Sequence, residues 1–117
     1  MDHRLKKNSQ FNYIYKKGER VHTENFTLFV VKSRFETYKI GFSISKKLGK
    51  ANKRNLLKRR LREIVRQGNI PSHFNYVLMA KENATTLEFV ELKKEVEKIF
   101  KKFQKKLNNG KTADENK

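Results

Sequence analysis

Between Ser45 and Arg66 the chain reads SKKLGKANKRNLLKRRLREIVR, ten lysines and arginines against one acid, Glu63, and nine of the seventeen net positive charges. The chemistry open to such a cluster is the neutralisation of a polyanion, and nucleic acid phosphate is the usual partner. Acid–base chemistry has less to work with. His3, His22 and His73 show no H-x₃-H or H-E-x-x-H spacing, and two of them could serve as an acid and base around a phosphodiester only if folding brought them together. The acids Glu19, Glu24, Glu36 and Glu82 fall in expected turns or strand edges, with no carboxylate cluster for a protein-held Mg²⁺ pair. No Walker loop is present, and Gly41 and Gly49 do not form a GxGxxG cradle. The residues describe a binder, with a histidine-dependent RNA nuclease as one alternative and a ribosomal or other structural RNA-binding protein as another.

Such a cluster binds in a defined way only if an element positions it. Leu57, Leu61, Ile64 and Val65 recur at i, i+4, i+7 and i+8, the spacing of one apolar side of a helix. At about 100° per residue, Asn55, Lys58, Arg59, Arg62 and Arg66 then share roughly one third of the circumference, with Arg54 at its border. The charge therefore belongs to a folded helix. Its apolar side lacks aromatics, which disfavours a membrane-surface role.

The remaining elements follow from periodicity. Asn8 or Ser9 can cap a short helix in which Phe11, Ile14 and Tyr15 share a face and which Gly18 ends. Phe26–Lys32 and Tyr38–Ser45 read as strands joined by the polar connection 33–37, and Arg20–Thr23 as a short edge strand. Gly68 and Pro71 stop the basic helix, and Tyr76–Ala80 reads as a strand buried on both faces. Thr85 and Glu88 fit a capping box ahead of the stripe Phe89, Leu92, Val96, Ile99, Phe100, Phe103 and Leu107, after which 108–117 is expected to be a disordered tail. These 117 residues suit one domain, 1–107, built as an α/β (α+β) two-layer sandwich. The absence of cysteine, of a membrane-length apolar run and of a signal-peptide pattern points to a soluble, cytoplasmic protein.

Aromatic residues suggest a second binding feature. Phe11 and Tyr15 lie one helical turn apart, and Thr27, Phe29 and Val31 alternate with Phe26, Leu28 and Val30 along a strand. One strand face must pack on helices; the other either completes a core or presents Phe29 beside Phe11 and Tyr15 as a stacking surface for unpaired bases.

Three separated motifs, LKKNSQFNYIYKKG, GFSIS and SKKLGKANKRNLLKRRLRE, together resemble the bacterial ribonuclease P protein component. The resemblance spans roughly Leu5 to Phe103, and the family's Arg-Asn-x-x-Lys-Arg-x-x-Arg core is matched by Arg54, Asn55, Lys58, Arg59 and Arg62. Leu56 stands where the family is often basic, and Asn52 where it often has valine, a position at which it could serve as a helix cap. The resemblance implies an α-β-β-β-α-β-α, ribosomal-protein-like fold with a left-handed βαβ crossover. It also implies a non-catalytic protein partner of a catalytic RNA, ribonuclease P RNA, which removes the 5′ leader of precursor tRNA with Mg²⁺. Lys46, Lys47, Lys50, Lys53, Arg54, Asn55, Arg59, Arg62 and Arg66 would face that RNA. Phe11, Tyr15, Thr27 and Phe29, with Lys58 and Arg62 at the boundary, would form a cleft for the single-stranded leader. Neither a protein-bound metal nor an obligate protein partner is implied.

Overall fold

In the computed structural model the backbone is described over residues 3–115 and the side chains over 3–108. Helix α1 (Asn8–Lys17) is followed by strands β1 (Glu19–His22), β2 (Phe26–Lys32) and β3 (Lys39–Ser43). A 3₁₀ turn at Lys46–Leu48 leads to α2 (Ala51–Gln67), β4 (Phe74–Ala80), a second 3₁₀ turn at Glu82–Thr86 and α3 (Phe89–Glu115). The order is the expected one, α-β-β-β-α-β-α. The tail expected over 108–117 falls, apart from Asn108, on residues whose side chains lie outside those described, and 116–117 lie outside altogether.

Strand alternation decides the layers. The sheet runs β1-β2-β4-β3, with β1–β2 and β2–β4 antiparallel and β3–β4 parallel. β4 thus separates β2 from β3, so these consecutive strands do not form a hairpin, and β3–α2–β4 is a parallel βαβ unit. One sheet face presents Val21, Phe26, Leu28, Val30, Ile40, Tyr76 and Leu78 to α2 and α3. The other presents Phe29 and Val77 to Leu5 and Ile14, with Phe11, Tyr15, Val31 and Met79 around them. Sheet and α2/α3 form the two main layers, and α1 lies across the opposite face. Tyr76, Val77 and Leu78 are fully buried, as the central strand of such an arrangement requires.

The basic helix is held by its apolar side. Leu57, Leu61, Ile64 and Val65 are all buried, and each contributes about 1.5–3 kcal/mol relative to exposure. The like-charged i,i+4 pairs Arg54/Lys58, Lys58/Arg62 and Arg62/Arg66 cost only about 0.2–0.5 kcal/mol each. Packing wins, so α2 is folded before any polyanion arrives.

Helix starts depart from the sequence reading. Residue Lys7, not Asn8 or Ser9, occupies the cap position of α1, and Gln10 Oε1 folds back to accept from the backbone N–H groups of Lys6 and Lys7 at 3.1 and 3.2 Å. Thr85 does not cap α3: its hydroxyl donates to the Glu82 carbonyl at 2.7 Å inside the 3₁₀ turn, and the first helical bond runs from Leu92 N–H to the Glu88 carbonyl. Asn52 lies inside α2, its side chain accepting from Lys53 N–H, while Lys50 occupies the cap position.

Candidate nucleic-acid interface

The cationic stretch is divided by Gly49, whose φ of +144° favours a residue without a side chain. Ahead of it, Lys46 and Lys47 are exposed on the 3₁₀ turn, which Ser45 caps by accepting from Lys47 N–H at 3.2 Å. Beyond it, α2 exposes Lys53, Asn55, Arg59, Arg62 and Arg66 and leaves Arg54 and Lys58 half-buried. Arg54 is fixed, its Nε donating to the Gly49 carbonyl at 3.2 Å, so it ties the turn to the helix. Among the described residues, Arg66 is the one cation of this face engaged by an acid: two contacts of 2.6 and 2.7 Å join it to Glu63, which also accepts from Gln67 at 2.9 Å. The Arg66 hydrogen bond holds the Glu63 carboxyl below its ordinary range.

A cavity of about 610 Å³ runs between the start of α2 and Thr85–Leu87, lined by Lys50, Lys53, Arg54, Leu56 and Arg60. The sequence pattern passed over Arg60, since helical periodicity places it beside the apolar stripe; here it is half-buried and joins the cationic lining. Leu56, 39% exposed, adds an apolar patch to the same groove.

On the other face of the sheet, α1 lies over a row formed by Arg20, Phe29, Val77 and Gly41, which are register partners across the four strands. The ring of Phe11 rests directly on Gly41, so close that a β-carbon at this position would collide with Phe11 Cζ and Cε1; only glycine admits the contact. Tyr15 meets Phe29 edge-on at 5.0 Å, and the Arg20 guanidinium stands 5.3 Å from the same ring. Phe29 is consequently buried, 6% exposed, while Phe11 and Tyr15 are half-buried. Beside α1 the next row is His22, Thr27, Met79 and Ser43. Thr27 is 5% exposed, its hydroxyl 3.1 Å from His22 Nδ1. Phe11 and Tyr15 therefore offer the accessible ring surface, and Phe29 and Thr27 form its floor.

The structure brings Phe11, Tyr15, Thr27 and Phe29 together but keeps α2 on the opposite sheet face. Its cations reach the cleft only around the β3 edge. Arg62 lines a cavity of about 450 Å³ there with His3, Arg4, Tyr38, Phe42 and Arg66, and Lys58 lies one turn earlier on the helix. The edge itself is covered by the N-terminal segment, with Ile40 N–H donating to the His3 carbonyl at 2.7 Å and Leu5 N–H to the Ile40 carbonyl at 3.2 Å. His3 stacks on Tyr38 at 4.0 Å and contacts its carbonyl through Nδ1 at 2.8 Å. Nothing in the local sequence signals this added edge.

Histidine chemistry finds no common centre. His3 lies at the β3 edge and His22 on β1, the opposite edge of the sheet, while His73 closes a turn before β4 with φ of +70°. Among the described residues, no three His, Asp or Glu side chains group as a metal site, and no helix is long and apolar enough to cross a membrane.

A cationic helix on one side of a small sheet and half-exposed rings on the other define a basic nucleic-acid-binding protein. The family model described as Ribonuclease P matches residues 1–104. The ribonuclease P protein component of Finegoldia magna is 36% identical over 105 residues, covering 88% of this chain and 92% of that protein. That of Phytoplasma australiense is 37% identical over 107 residues, covering 89% and 90%. The solved RNase P protein of Staphylococcus aureus superposes with a TM-score of 0.79 at 31% identity, covering 86% of this chain and 94% of that one. The protein from Thermotoga maritima also gives 0.79, at 28% identity and with 85% and 96% covered. The chain belongs to the ribonuclease P protein family.

Proposed function

We propose that the chain is the protein subunit of a ribonuclease P ribonucleoprotein and promotes maturation of the tRNA 5′ end. Lys46, Lys47, Lys50, Lys53, Arg54, Asn55, Arg59, Arg62 and Arg66 face the catalytic RNA, and the α1 cleft holds the leader of precursor tRNA. Family membership carries the assignment, and the placement of cations and rings on different sheet faces supports the division of labour. The RNA subunit with its Mg²⁺ supplies the bond cleavage. The protein's residues bind and orient: exposed arginines of α2 replace counterions on phosphates, Arg54 holds turn and helix in one geometry, and Phe11 and Tyr15 stack on unpaired bases. A dense cation between leader and catalytic RNA lowers their repulsion, an effect greatest at low ionic strength.

Reconstitution tests this. The purified chain alone should leave precursor tRNA intact, and addition of a matching ribonuclease P RNA with Mg²⁺ should produce a cut at the mature 5′ end. Replacing His3, His22 and His73 together by Gln should leave holoenzyme turnover nearly unchanged. Cleavage by the protein alone that disappears in a folded triple variant would establish a nuclease instead.

A further inference from the structure

Among the described residues, two of the four large apolar side chains exposed on the surface, Tyr13 at 59% and Phe35 at 68%, line one cavity of about 330 Å³. Lys32 and Arg34 line it as well, together with the amide-bearing Gln10 and Asn75. The cavity lies on the flank of α1 away from the cleft, since Asn75 is in register with Lys39 at the start of β3, whereas the cleft row includes Ser43 at its end. Phe35 is presented by an anchored turn: its N–H donates to Ser33 Oγ at 3.2 Å, and the His73 backbone closes both ends, its carbonyl accepting from Ser33 N–H at 2.7 Å and its N–H donating to the Thr37 carbonyl at 3.3 Å. An exposed ring on a turn fixed in this way incurs less ordering cost on binding than one on a loose loop.

We propose that this cavity takes an unpaired nucleotide of the precursor's leader, upstream of those in the cleft, with its base against Tyr13 and Phe35 and its phosphates at Lys32 and Arg34. The proposal rests on the reading of the chain as a ribonuclease P subunit. Rings combined with cations are what a single strand recognises. A second copy of a chain carrying a net charge of +17 would bring like charges together at this surface. The leader is the fitting strand because the cavity lies at the end of the sheet remote from the Lys46–Lys53 surface, one helix away from the cleft.

The test uses holoenzyme assembled from the full chain and a matching ribonuclease P RNA, with precursor tRNAs whose leaders lengthen one nucleotide at a time. Wild type should show a gain in affinity at one leader length. Tyr13→Ala with Phe35→Ala should erase that gain, about a tenfold loss confined to the longer leaders, while Tyr13→Phe retains it. Circular dichroism should show both variants folded, since neither side chain is buried. A gain that survives in the double variant, or equal losses for short and long leaders, overturns the proposal. So does self-association of the wild type that the double variant loses while the leader gain stays. Failure of the wild-type chain to support any cleavage overturns the underlying reading and the proposal with it; normal cleavage with an unchanged gain overturns the proposal alone.

Discussion

Arg59 and Arg62 stand out from α2 into solvent, whereas Phe29 and Thr27 are buried beneath α1 with 6% and 5% of their surface exposed. In the first region the fold contributes a rigid rod: four buried side chains anchor α2, and Lys53, Arg59 and Arg62 stand exposed on it, whereas Arg54 and Arg66 are engaged within the fold. In the second region structure and the proposed binding share the same atoms, because Phe11 and Tyr15 pack the sheet with one edge and leave the rest accessible. Substitutions of the exposed α2 cations should therefore read out almost purely in RNA binding. Those under α1 should couple binding to stability.

The largest expected effect breaks the aromatic region alone. Gly41→Val inserts atoms where the Phe11 ring lies, and overpacking of this kind costs about 1–3 kcal/mol of stability. Denaturant titration should show that loss, and the holoenzyme should lose its preference for leader-bearing substrate. Next, Phe11→Ala or Tyr15→Ala should weaken precursor binding relative to mature tRNA by about 1–3 kcal/mol if a base stacks on the ring; Phe29→Ala should cost more stability than the half-exposed rings do. Arg59→Ala or Arg62→Ala should leave the unfolding midpoint nearly unchanged and flatten the log–log salt dependence of RNA binding by about 0.7–0.9 for each phosphate left without its cation. The smallest effect has the opposite sign: Glu63→Gln releases Arg66 and should steepen that slope, by no more than the share of one phosphate.

The same contrast governs what sequence could reveal. Elements defined by a sustained period were legible: β2 matches its expected span, and the α2 anchors are the four residues that the heptad-like spacing singled out. Features made by backbone alone were not. The strand order, with β4 between β2 and β3, and the N-terminal residues along the β3 edge depend on hydrogen bonds that any side chain permits. Thr85, Asn8 and Asn52 have cap-forming side chains, but 3₁₀ geometry and a Gln10 fold-back supplied the partners instead. The candidate interface residues were picked by type, whereas the burial of Phe29 depends on Arg20 and Tyr15 approaching from two other elements. Arg60 was missed because helical periodicity sets it beside the apolar stripe, and the Tyr13–Phe35 cavity because it is assembled from segments distant in sequence.

Separability of the two surfaces is the central claim, and one paired titration addresses it. Holoenzyme affinity for precursor and for mature tRNA should be measured with wild type, with Arg54→Ala/Arg59→Ala and with Phe11→Ala/Tyr15→Ala, each checked for folding. The arginine pair should weaken assembly with the catalytic RNA and, once assembly is saturated, leave the precursor-to-mature ratio intact; the aromatic pair should assemble normally and lose that ratio. Equal losses for precursor and mature tRNA in the aromatic variant would contradict the account.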